Sequence, residues 1–251
     1  MHTKEQYIAV FDSGVGGISV LRELMALMPG ENYLYFGDSA NAPYGTRPTE
    51  QVRDLTMAAA EMLLSRDVKA LVVACNTATA AAINDLRQAY PDTIIVGIEP
   101  ALKLAADNFP NGRVGVMATP VTLREEKFAN LAHRFPQMEV SSIPVPGLVE
   151  LIEQGCSQDV LEDFLAPVLA DYRDNLDAVV LGCTHYPFAA AAIQKLLGAK
   201  TVLLDGGAGT ARETRRRLAL ADLLLEGEGS LQVENSSADP KIIKRCMELL
   251  K

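Results

Sequence analysis

Apolar residues along the chain fall into short continuous blocks at 8–11, 33–36, 70–74, 94–98, 114–117, 140–143, 179–181 and 202–204. Most of these blocks do not alternate with polar residues, as expected for strands of a parallel sheet covered on both faces. Helical periods lie between them. Val52, Leu55, Ala59, Met62 and Leu63 form one apolar stripe, predicted to follow a cap at Thr49. Asp239-Pro240 predicts the start of the last helix, a cap residue followed by proline at the first helical position. Strand and helix in repeated alternation predict an α/β fold with crossover helices.

The 251-residue length admits two small domains, and an internal echo favours them. LVVACNTATAAAI at 71–83 resembles VVLGCTHYPFAAAAI at 179–193, with the two cysteines 108 residues apart. Each reads as a buried strand, a cysteine, a threonine with polar neighbours, and an Ala-rich helix. We therefore expect two similar α/β domains with mostly parallel sheets. The first comprises 1–97 with a returning tail at 208–251, and the second 98–207. Residues 226–230 read as a turn.

Composition narrows the classes. The chain is 49% hydrophobic and 22% charged, the balance of a globular protein. No apolar run approaches the ~20 residues that cross a bilayer, and the N-terminus moves from a short polar lead straight into a strand with no leader pattern. No membrane association and a cytoplasmic location are expected. The net charge of −9 argues against nucleic acid as a partner. The one dense basic run, Arg215-Arg216-Arg217, reads as a solvated helix face. Cys75, Cys156, Cys183 and Cys246 lie far apart without a C-x-x-C pair, so neither a disulfide framework nor a zinc site is expected. Cys156 and Cys246 sit in amphipathic stretches and read as structural.

In open parallel sheets, ligands bind beyond the carboxyl ends of the strands. The loops there are 12–17 (DSGVGG), 37–45 (GDSANAPYG), 75–77 (CNT) and 182–187 (GCTHYP). The first could be a dinucleotide turn with Asp38 as the ribose acid, but Ser19 stands where the third glycine belongs. It could equally be a tight turn that lets a helix pack closely. Cys75 and Cys183 carry more information as a pair. One cysteine ending a buried strand is usually filler. Two, each leading into a helix, suggest thiols whose ionised form is favoured by a helix start. Inverting a stereocentre by proton transfer needs two bases, one per face, and two related halves could supply one thiol each.

FDSGVGG (11–17), GDSANAPYG (37–45), ACNTAT (74–79), GCTHYP (182–187) and DGG (205–207) together resemble the glutamate racemases of the aspartate/glutamate racemase superfamily, over nearly the whole chain. The resemblance implies two pseudosymmetric α/β domains with the active site in the interdomain cleft. It also implies a cofactor-independent, pyridoxal-free racemase that supplies D-glutamate for peptidoglycan. Cys75 and Cys183 would be the acid/base thiols, the first serving the D-enantiomer and the second the L-enantiomer, assisted by Asp12 and His185. Asp12, Ser13, Tyr44, Gly45, Asn76, Thr77, Thr119, Thr122, Glu153, Thr184 and His185 would bind the substrate or flank the thiols. No metal is implied, and a homodimer is, since members are commonly dimers. Ser39, Asn41, Pro120 and Phe128 depart from the family pattern. Three alternatives stay open: a relative acting on aspartate, a hydantoin or a malonate; a nucleotide-binding dehydrogenase; and a non-catalytic binding protein. Residue by residue, Asp12 could instead cap the following helix, His185 could be structural, and Tyr44 could be a packing aromatic.

Overall fold

A computed structural model describes residues 2–98, 101–124 and 134–251. Phe128 lies outside these residues. By internal contacts the chain divides into two compact units, Met1–Glu99 with Gly207–Lys251, and Pro100–Gly206.

The sheet of the first unit contains β1 (Tyr7–Asp12), β2 (Tyr33–Gly37), β3 (Val68–Val73), β4 (Ile94–Gly97) and β9 (Leu231–Asn235). Among the described residues its order is β4-β3-β1-β2-β9, and every pairing is parallel. The second unit's sheet contains β5 (Arg113–Ala118), β6 (Glu139–Pro144), β7 (Ala178–Gly182) and β8 (Val202–Asp205), in the order β6-β5-β7-β8, again parallel throughout. Counted along the chain, both sheets run second, first, third, fourth. The echo at the two cysteines is thus part of a repeated topology: Cys75 follows the third strand of one unit and Cys183 the third strand of the other.

The hydrophobic pattern explains the layers. The central strands β1, β3 and β7 are buried along almost their whole length, as their unbroken apolar runs require. The edge strands β8 and β9 are only partly covered. On one side of the first sheet Phe11, Leu71 and Val73 pack with Val52, Ala60 and Leu63 of the helix Thr49–Leu64 and with Ile83 and Leu86 of the helix Asn76–Ala89. In the second unit Val179 and Leu181 pack against Leu161, Leu165 and Leu169 of the helix Gln158–Leu169 and Ile193 and Leu197 of the helix Ala190–Leu197.

Several local expectations shift. The helix at 49–64 starts on Thr49 itself, with Pro48 at the cap position, because proline's fixed φ of −58° supplies the entry geometry. Met62 is 37% exposed, at the rim of the apolar stripe. The last helix, Pro240–Leu249, opens as expected, with Asp239 accepting from the Lys241 N–H at 2.9 Å. The basic run lies on the helix Gly207–Leu220, where Glu213 binds Arg216 and Arg217. These guanidinium groups hold the Glu213 carboxyl at about 2, the arginine hydrogen bond being the largest cause. The sequence pattern did not anticipate β9. LQVEN is short, and as an edge strand it is covered on one side only. Among the described residues no helix is long and apolar enough to cross a membrane.

Candidate active site

In each sheet the chain reverses its direction of growth between the first and third strands, which is where such folds bind ligands. In the first unit this point lies between the carboxyl ends of β1 and β3, at Asp12, Ser13 and Cys75. In the second it lies between β5 and β7, at Thr119 and Cys183.

Asp12 ends β1 and is completely buried, with its Oδ1 accepting from the Gly14 N–H at 2.9 Å. The cap position of the next helix is Gly17. Ser13 Oγ lies 3.4 Å from Cys75 Sγ. Cys75 is itself the N-cap of the helix Asn76–Ala89, and its sulfur accepts from the Ala78 N–H at 3.5 Å. Forming a thiolate at pH 7 from an ordinary thiol costs about 2 kcal/mol. A helix start recovers on the order of 0.3–1 kcal/mol of that, and the Ala78 donor acts in the same direction. Asn76 and Thr77 are buried beside it, and among the described residues the buried Asn76 Oδ1 has no hydrogen-bond partner.

The loop after β2 adds a second polar group. Tyr44 is 1% exposed and donates to Asp38 Oδ2 at 2.7 Å, while Asn41 Nδ2 lies 3.1 Å from both Asp38 oxygens. Burial pushes the Tyr44 phenol well above its usual range, and the hydrogen bond to Asp38 and the negative charges of Asp38, Cys75 and Asp12 push it the same way. Tyr44 therefore keeps its proton and donates it to Asp38, while its ring packs in the core with Phe11. Gly45 sits in the same short 3₁₀ turn, Tyr44–Thr46. Asp38 was read from the sequence only as a possible ribose acid. Here its carboxylate is engaged by Tyr44 and Asn41.

In the second unit Cys183 Sγ lies 3.8 Å from His185 Nδ1, and His185 Nε2 lies 3.0 Å from Glu153 Oε1. An ionised carboxylate only accepts, so a proton on Nε2 satisfies this contact, and in the neutral tautomer that carries it Nδ1 offers its lone pair toward the sulfur. Glu153 ends the helix Leu148–Glu153, 32 residues before its partner. Cys183 does not begin an α-helix directly. A 3₁₀ turn, Tyr186–Ala189 with Pro187 in it, precedes the helix Ala190–Leu197, so His185 replaces the helix start as the local polar partner. Thr184 is buried alongside. Thr119 and Thr122 form a hydroxyl pair at 3.0 Å, Thr119 directly before and Thr122 within the helix Pro120–Arg124. Pro120 opens that helix, a position proline tolerates. Among the described residues no three His, Cys, Asp or Glu side chains gather as a metal ion would need.

The family model for Asp/Glu/Hydantoin racemase matches residues 18–214. The chain belongs to that family. A glutamate racemase of Clostridium botulinum (strain Alaska E43 / Type E3) is 47% identical over 255 aligned positions, covering 100% of this chain and 99% of the relative. The crystal structure of glutamate racemase from Francisella tularensis in complex with D-glutamate superposes with a TM-score of 0.86 at 29% identity, covering 98% of this chain and 94% of that one. The Escherichia coli glutamate racemase, in complex with L-glutamate and the activator UDP-MurNAc-ala, gives a TM-score of 0.82 at 30% identity, covering 98% of this chain and 92% of that one. Within the family, this chain sides with the glutamate racemases.

Proposed function

We propose that this racemase interconverts L- and D-glutamate by moving the Cα proton between two thiols, Cys75 and Cys183. One observation carries the proposal: each cysteine follows the third strand of the four-strand order that the two sheets share, and each has its own polar partners, Ser13 and the Ala78 N–H for one, His185 and Glu153 for the other. A hydrolase or a binding protein has no need for this duplication.

The balance of the reaction is simple. Starting from D-glutamate, the Cys75 thiolate takes the Cα proton and becomes a thiol. The Cys183 thiol delivers its proton to the opposite face and becomes a thiolate. The product is L-glutamate, and the reverse reaction restores both sulfurs. The reading requires the two sulfurs to address opposite faces of one carbon. Cα–H is far less acidic than a thiol, so most of the barrier must be lowered by donors arranged in advance around the developing carbanion. Ser13, Thr77, Thr119, Thr122, Thr184 and Gly45 would hold the carboxylates, while Asn76 Oδ1 and the Tyr44 hydroxyl oxygen, whose proton goes to Asp38, would accept from the substrate ammonium. Asp12 would assist Cys75.

Solvent deuterium should enter Cα of both glutamate enantiomers without added pyridoxal phosphate. Replacing either Cys75 or Cys183 by Ala should abolish racemisation, and parental activity in Cys75→Ala would refute the assignment. Exchange with aspartate, but not glutamate, would move the substrate elsewhere within the family. Supply of D-glutamate for peptidoglycan, a cytoplasmic setting and a homodimer complete the reading; the first and third rest on the family resemblance. A cell-wall defect on gene loss, cell fractionation and sedimentation test them in turn.

A further inference from the structure

We infer that the returning C-terminal strand β9 positions the substrate loop of the first unit, with Asn235 as the positioning residue. The inference deepens the proposed reading, because it concerns the loop that carries Tyr44 and Gly45.

The four-strand order shared by the two sheets ends at β2 in the first and at β6 in the second. Among the described residues the first sheet alone continues, with β9 added outside β2. The segments that follow these two strands also differ. After β6 the chain soon enters the helix that presents Glu153. After β2 it makes two 3₁₀ turns, Ser39–Asn41 and Tyr44–Thr46. Turns of three residues hold their own geometry poorly, and this pair is braced from outside. Asn235 Nδ2 donates to Ser39 Oγ at 2.9 Å, Ser236 Oγ accepts from the Ala40 N–H at 2.9 Å, and the Ser236 N–H donates to the Gly37 carbonyl at 2.9 Å. The Asn235 amide is itself oriented, since its Oδ1 accepts from the Ser237 N–H at 2.8 Å.

Gly37 makes the approach possible. A Cβ there would sit 2.7 Å from Asn235 Nδ2 and would also strike the Gly14 carbonyl. From Ser39 the connection runs inward. The turn carries Asn41, Asn41 holds Asp38, and Asp38 accepts the Tyr44 hydroxyl. Asn235 touches neither thiol nor any proposed substrate contact, so it acts on binding through the loop.

The test is steady-state kinetics with glutamate on the full-length protein, after Cα exchange by the parent has been established. Asn235→Ala should raise KM about fivefold with kcat altered by less than about twofold, the pattern for lost binding rather than lost chemistry. Ser39→Ala should also raise KM, and the double variant should be no worse than Asn235→Ala alone, because that variant already removes the one hydrogen bond Ser39 shares with Asn235. Ser39→Thr, which keeps the hydroxyl, should retain the parental KM. A folded Asn235→Ala with parental KM overturns the inference. If Asn235→Ala fails to fold, Ser39→Ala decides instead, since it leaves β9 intact, and a parental KM there overturns the inference equally. A parent that exchanges no Cα proton of glutamate refutes the racemase reading itself, and the inference falls with it.

Discussion

His185 Nε2 lies 3.0 Å from Glu153 Oε1, while the other ring nitrogen faces the Cys183 sulfur at 3.8 Å. In the proposed reaction this carboxylate orients the imidazole that assists the Cys183 thiol. In Glu153→Gln the contact survives but the charge is lost, and proton transfer at Cys183 should slow. The equilibrium constant between enantiomers is one, so kcat/KM must fall equally from both sides, roughly tenfold if the loss is at the low end of general acid/base effects. The asymmetry will appear in isotope effects. The effect of deuterium at Cα should grow for L-glutamate, from which Cys183 takes the proton in the proposed reaction, and shrink for D-glutamate. Equal changes from both sides would separate Glu153 from the second thiol.

A different pair governs stability. Lys69 Nζ lies 2.6 Å from Glu31 Oε2, and both side chains are wholly buried. The ammonium also donates to the carbonyls of Leu223 and Lys4, and Glu31 Oε1 accepts from the Leu225 N–H. The pair therefore ties the returning tail to β3 and to the turn before β2. Removing one partner should cost about 3–5 kcal/mol, because it strands a buried charge. The double replacement Lys69→Met/Glu31→Leu should recover part of this and remain about 1–3 kcal/mol below the parent, since the backbone groups of Lys4, Leu223 and Leu225 lose their partners. Urea midpoints of the four proteins check the cycle.

The sequence made some of this visible and hid the rest for physical reasons. β1, β3 and β7 are legible because a strand covered on both faces must be apolar at every position. Cys75 and Cys183 are legible because the repeated topology repeats its sequence around them. β9 is not, since Leu231 to Asn235 lie at an edge where half the positions can be polar. The engagement of Asp38 by Tyr44 and Asn41 depends on how two turns fold over each other, and no periodicity encodes that. The partner of Ser39 lies 196 residues away. Glu153 was reached only through resemblance, because the sequence that separates it from His185 leaves no spacing rule to follow.

Alkaline pH should loosen the fold. Burial, the largest cause in each case, pushes the phenols of Tyr33, Tyr44 and Tyr186 upward, with Glu31, Asp38 and Cys183 respectively acting in the same direction. Tyrosines in the unfolded chain ionise near pH ~10. Below that value both states hold the protons, and the stability is fully present. Above it the unfolded state releases protons that the folded state keeps, so stability falls with slope of about 1.4 kcal/mol per pH unit for each such tyrosine. Tyr33 donates to the carbonyls of Leu24 and Met28. Tyr33→Phe should therefore be less stable at pH 8, yet converge on the parent as pH rises toward 11. Urea midpoints across that range would show the convergence, and parallel curves would exclude it.

Gly17 offers a test of how tightly the first half of the site is built. Its φ of −60° is open to any residue, so only space restricts this position. A Cβ there would lie 2.6 Å from the Asp12 Cβ and 3.1 Å from the Ala74 Cβ. Neither neighbour is the free end of a flexible side chain. Both belong to backbone at the ends of β1 and β3, one residue from Ser13 and from Cys75. Relief of the clash must shift one strand end relative to the helix Ile18–Leu27. Overpacking of this kind costs about 1–3 kcal/mol, and displacement of a proton-transfer group by about 1 Å can cost on the order of a hundredfold in rate. Gly17→Ala should thus stay folded at 25 °C while kcat drops by at least about tenfold. A variant with a lowered urea midpoint and unchanged kcat would mean that Asp12 and Cys75 tolerate displacement, and that their geometry is not what limits the reaction.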